Sequence, residues 1–75
     1  MPTKLQERRE GKYTQTELSL LAGLNPQAIH QYEIGFRKIE GCNLKALAKI
    51  AKALNCKIVD LIDDPETVSL LLDFN

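Results

Sequence analysis

A chain of 75 residues makes one domain, and at this size an apolar core leaves only a few kcal/mol of net stability, so a second subunit would help it. Hydrophobic residues at 44% and charged residues at 27% are ordinary for a globular protein and exclude a disordered or fibrous chain. The net charge of zero argues against a polyanion partner only on average: residues 1–62 hold all ten Lys and Arg against six acids, and Asp63, Asp64, Glu66 and Asp73 in the tail offset that basic body.

Apolar residues recur at spacings of three and four, and alternation of period two never persists, which predicts an all-α domain. Leu5 and Arg8 lie on a short first helix that starts near Thr3 and ends by Gly11, whose missing side chain suits a left-handed stop. Thr14-Gln15-Thr16-Glu17 has the capping-box pattern: the threonine hydroxyl accepts from the third helical amide and the glutamate reaches back to the cap. The second helix therefore starts at Gln15. Leu18, Leu21 and Ala22 share its inward face, and Gly23 ends it after about eight residues.

Asn25-Pro26 opens the third helix, because Asn caps well and Pro at the first helical position forgoes no hydrogen bond. That helix runs to about Glu33, with Ile29 and Tyr32 inward and Gln27, His30 and Gln31 as an outward polar row. Residues 34–41, with two glycines around Phe-Arg-Lys, read as a loop before a fourth helix that starts between Glu40 and Asn43. Leu44, Leu47, Ala48, Ile50, Ala51 and Leu54 give this longest helix its apolar stripe. Lys45, Lys49 and Lys52 form a solvated flank, and Asn55 terminates it. Ile58, Leu61 and Ile62 predict a short fifth helix, and Asp64-Pro65 opens a short sixth carrying Val68, Leu71 and Leu72. The chain thus divides into a domain over residues 1–62 and a tail over residues 63–75. The tail either covers the domain's own core or forms a twofold interface, and we favour the second because no other element offers one.

Two helices of about eight residues joined through Gly23 are too short to be stable alone. A turn of three or four residues sets such a pair at a steep angle, so that the second can enter the DNA major groove while the first braces across the backbone. The stretch TQTELSLLAGLNPQAIHQYEIG (residues 14–35), continued by LKALAKIAKALNCKIVDLI, resembles the Cro and phage-repressor type helix-turn-helix family, also called the xenobiotic-response-element (XRE) family. The Thr-Gln start, Leu18, Gly23, Leu24, Ile29 and the ending at residues 33–35 stand in register, and the likeness covers about residues 4–62. It implies a compact lambda-repressor-like bundle of about five short helices. It also implies a sequence-specific regulator of transcription that binds double-stranded DNA as a homodimer, with residues 26–33 as the recognition helix.

By the same resemblance, Gln15 matches the start of the family's second helix, which meets a phosphate oxygen. Asn25, Pro26, Gln27 and Gln31 match positions that touch base edges or adjacent phosphates, and a glutamine can pair with adenine through both ends of its amide. Arg37 and Lys38 match the loop that follows the DNA backbone, and Arg8 and Glu33 fall where relatives place a structural ion pair. His30 either contacts phosphate or simply faces solvent.

Ser19 stands where alanine is usual, Pro26 replaces a polar DNA-contacting side chain, and the loop at residues 35–44 is longer than in phage repressors. Leu20 and Leu21 replace polar positions, and their apolar surface needs a partner subunit or the tail to cover it. These departures keep open a second function, a protein-interaction module such as an antitoxin or assembly partner on the same fold. An enzyme has no support: one histidine, no nucleophile at a recognisable spacing from it and no Gly-rich phosphate loop leave no catalytic constellation and no cofactor. Cys42 and Cys56 lack both CxxC spacing and enough companions for a metal site. No segment reaches the roughly 18 apolar residues of a membrane span and no leader is visible, so the expected compartment is the cytoplasm.

Overall fold

Four of the five α-helices begin on the side chain that the sequence offers as a cap. The computed structural model describes residues 3–73 and runs α1 (Lys4–Arg9), α2 (Gln15–Leu21), α3 (Ala28–Glu33), a 3-10 turn (Ile39–Gly41), α4 (Leu44–Ala53), a second 3-10 turn (Ile58–Leu61) and α5 (Pro65–Leu72). Thr3 accepts from the Gln6 amide, Asn43 from the Ala46 amide and Asp64 from the Thr67 amide. Thr14 and Glu17 complete a reciprocal capping box at the start of α2. No strand forms among the described residues.

Helix α3 is the exception, and the expected start at Pro26 is two residues early. The Asn25 carboxamide oxygen accepts from the Gln27 amide at 3.0 Å and the Asn25 carbonyl from the Ala28 amide at 2.9 Å, so residues 25–28 form a turn. The cap for α3 comes from another helix. The Ser19 hydroxyl, fully buried on α2, accepts from the Ile29 amide at 3.1 Å. The Ser19 carbonyl also accepts from the Leu24 amide at 2.9 Å, and Gly23 at φ 73° turns the chain between the two helices.

Leu5, Leu18, Ile29, Ile50, Leu54, Leu61 and Ile62 close the core. Two of the expected stripe positions on α4, Leu44 and Ala48, face solvent, and Ala46 is buried instead. Helix α4 packs against α2 and the second 3-10 turn, and its buried side runs through Ala46, Leu47, Ile50 and Ala51. The segment read as a loop contains the first 3-10 turn, anchored by buried Ile39, and the expected fifth helix is the second 3-10 turn. The expected sixth helix is α5, whose Val68 and Leu71 pack against the core while Leu70 and Leu72 face outward. Both cysteines are free and half-buried, and burial pushes the Cys56 thiol above its ordinary value.

The expected ion pair of Arg8 with Glu33 is not the one formed. Arg9 binds Glu33, with Nε on one carboxylate oxygen and Nη2 on the other, while Arg8 lies 3.9 Å from Asp60 at the surface. Successive residues on a helix diverge by about 100°, so only one of two adjacent arginines can face α3. Arg9 stands four residues after buried Leu5, on the core side of α1, and Arg8 is turned towards the second 3-10 turn.

Candidate nucleic-acid interface

Helix α3 buries Ala28, Ile29 and Glu33, and this fixes what it presents outward. Gln27 and His30 are exposed and Gln31 is half-buried, so the expected polar row lies along one open face. Asn25 and Pro26 are exposed in the turn ahead of it. Asn25 uses its side-chain oxygen on the Gln27 amide, which keeps its NH2 end free for an external acceptor.

Glu33 is the hub that sets the far end of α3. Its carboxylate accepts from Arg9, and Oε1 also accepts from the Gln15 side-chain amide at 2.9 Å. Gln15 is thereby joined to the ion pair rather than left to solvent; it is half-buried, and among the described residues its side-chain NH2 donates this one bond, with a second hydrogen to spare. The hydrogen bonds that Arg9 donates to Glu33 raise the Arg9 pKa above its ordinary value, burial opposes them, and the Glu33 charge adds to the rise. Arg9 also donates from Nη1 to the Tyr13 carbonyl at 3.1 Å, so one guanidinium ties α1, the approach to α2 and the end of α3 into one frame.

Beyond α3 the chain folds back, with the Arg37 amide donating to the Gln31 carbonyl at 3.2 Å, and exposed Arg37 and Lys38 follow. These two bases share a crevice of about 320 Å³ with Asp63 and Asp64, so part of the acidic tail lies beside the basic loop. Asp63 accepts from the Lys4 amide at 3.0 Å, and Asp64 is held below the ordinary carboxylate range by the Thr67 hydroxyl and amide, with a smaller contribution from Lys38. Tyr32 beside this crevice has its phenol pushed up by burial, an effect that nearby Arg37 reduces.

Sequence reasoning overlooked Ser19 as the brace of α3 and chose the wrong arginine. A small polar residue beside the inward stripe of α2 was a usable signal for the first, and the i, i+4 spacing from Leu5 for the second. It also passed over Ile34 and Phe36, which are 62% and 73% exposed at the end of α3. No helix is long and apolar enough to cross a membrane among the described residues.

A family model described as the Cro/C1-type HTH DNA-binding domain matches residues 5–66. No curated protein and no solved structure matches the chain.

Proposed function

The chain belongs to the Cro/C1-type helix-turn-helix DNA-binding family, and we propose that it is a cytoplasmic, sequence-specific regulator of the repressor kind that binds a short inverted repeat as a homodimer. The observation that carries this reading is the open polar face of α3, held against α2 by the Ser19–Ile29 hydrogen bond and against α1 by Arg9–Glu33. A short helix so braced can enter a major groove as a preformed element. In this reading Gln27 and Gln31 face base edges, and Asn25, Pro26 and His30 lie at the groove wall. Arg37 and Lys38 meet phosphate, and Gln15 reaches a phosphate with its second amide hydrogen.

Residues 63–75 supply the twofold contact. Exposed Leu44 and Leu72 border a groove of about 550 Å³ that Leu47 and Ile62 also line, so knobs and hole share one face, as isologous pairing requires. Pairing there sets two recognition helices about 34 Å apart, the spacing of successive major grooves. Selection of bound duplexes from a random library tests the reading. A palindromic consensus supports it, and absence of enrichment overturns it.

The second reading, a protein-interaction module, is favoured by Leu20 and Leu21, which remain 60% and 52% exposed and which the tail does not cover. An NMR titration separates the two. Duplex DNA perturbs Gln27, Gln31 and Arg37 first, and a protein partner perturbs Leu20 and Leu21.

A further inference from the structure

Resting on the reading of α3 as the groove-facing helix, we infer that Ile34 recognises a thymine through its C5-methyl group. Ile34 is the C-terminal cap residue of α3 and keeps helical geometry at φ −87° and ψ 0°. Gln27, His30, Gln31 and Ile34 are spaced i, i+3, i+4 and i+7, so the outward row has a fourth member, and that member is apolar. A lone exposed isoleucine is ordinary on a protein surface. This one continues the reading row and is followed by another exposed apolar side chain, Phe36. The loop that carries Phe36 is tied back to α3 through the Arg37 amide on the Gln31 carbonyl.

The chemistry of the groove selects the ligand. Every base pair presents hydrogen-bonding groups along the major groove edge, which an isoleucine can only desolvate without pairing. Among the four bases thymine alone adds an apolar group there, the C5-methyl. Ile34 therefore favours a half-site with thymine where the C-terminal end of α3 lies, next to the bases read by Gln27 and Gln31.

Deoxyuridine in place of thymine removes this methyl and nothing else. On the duplex recovered by selection, replaced one position at a time, wild-type binding followed by fluorescence anisotropy weakens about fourfold at one thymine of the half-site, the worth of one buried methyl. Ile34→Ala loses that sensitivity and Ile34→Val keeps it. Both variants retain the fold, because the side chain is 62% exposed and its backbone is helical, and thermal melts verify this. The inference is overturned if no thymine responds to replacement, if the selected half-site has none, or if Ile34→Ala shows the same penalty as wild type. A chain that binds no duplex removes the DNA-binding reading as well. Binding that Gln27→Ala relaxes but deoxyuridine leaves unchanged removes only the role of Ile34.

Discussion

Arg9 on α1 and Glu33 at the end of α3 form a two-point pair, Nε to Oε2 at 2.5 Å and Nη2 to Oε1 at 2.9 Å, with their side chains 12% and 3% exposed. Because Glu33 is nearly sealed from water, removing its partner leaves a buried charge with only the Gln15 hydrogen bond to offset it, and breaking such a pair typically costs about 3–5 kcal/mol. Arg9→Met should therefore approach the whole stability of so small a domain, while Arg8→Met, at a surface pair, should cost no more than about 1 kcal/mol. Urea unfolding of the two variants decides the matter; equal losses would contradict the assignment.

Ser19→Ala deletes the acceptor for the Ile29 amide and leaves that amide buried and unpaired, for a loss of about 1–3 kcal/mol. The damage should be local to the joint between α2 and α3. Hydrogen exchange at Ile29 should quicken more than at Ile50 in the core. Uniform acceleration along the chain would mean that the hydroxyl has no special part in bracing α3.

On the selected duplex, Gln27→Ala should lose about 1–3 kcal/mol of preference at one base position, and Arg37→Ala should weaken all sequences alike. With about three phosphates neutralised per subunit, log affinity against log salt should fall with a slope of about −5 for the dimer. A slope near zero would remove the electrostatic basis of DNA binding.

Leu44→Glu places a charge on the exposed border of the groove between α4 and α5 without touching the core. It should convert the dimer to a monomer in sedimentation and weaken binding to the full inverted repeat more than to a half-site. If the wild-type chain sediments as a monomer at all concentrations and on DNA, the twofold contact is wrong.

Two carboxylates set an acid limit. Hydrogen bonding from Thr14 holds Glu17 below its ordinary value, and the Thr67 hydroxyl and amide do the same for Asp64. In both, the folded pKa lies below the unfolded one, so the contribution to stability is full above the unfolded value and is lost as pH falls through the folded value. Stability should thus decline below the ordinary carboxylate range, and the helix starts at Gln15 and Pro65 should fray first. Carboxyl NMR titration checks the direction: Thr67→Val should raise the Asp64 midpoint and leave that of Glu17 in place.

Most of the helix starts, the turn at Gly23 and the stop at Asn55 (φ 55°) were legible in the sequence. Each is decided by hydrogen bonds and dihedral preferences within about four residues, which the chain carries with it before it folds. The exposed row of α3 was legible for the same reason, since helical periodicity separates Gln27 and His30 from Ile29.

Tertiary packing decided the rest. Asn25 announced a helix, but its side chain closes a turn and α3 begins at Ala28, because a hydroxyl ten residues earlier supplies the Ile29 amide. Arg8 and Arg9 are equivalent in local propensity, and only the placement of α1 between α3 and the second 3-10 turn sends one to Glu33 and the other to Asp60. The apolar stripe of α4 was read through Leu44 and Ala48, yet packing buries Ala46 and leaves Leu44 in water. Sequence periodicity determines which residues share a face; the directions and distances between helices, set by how their side chains fill common space, determine what that face meets.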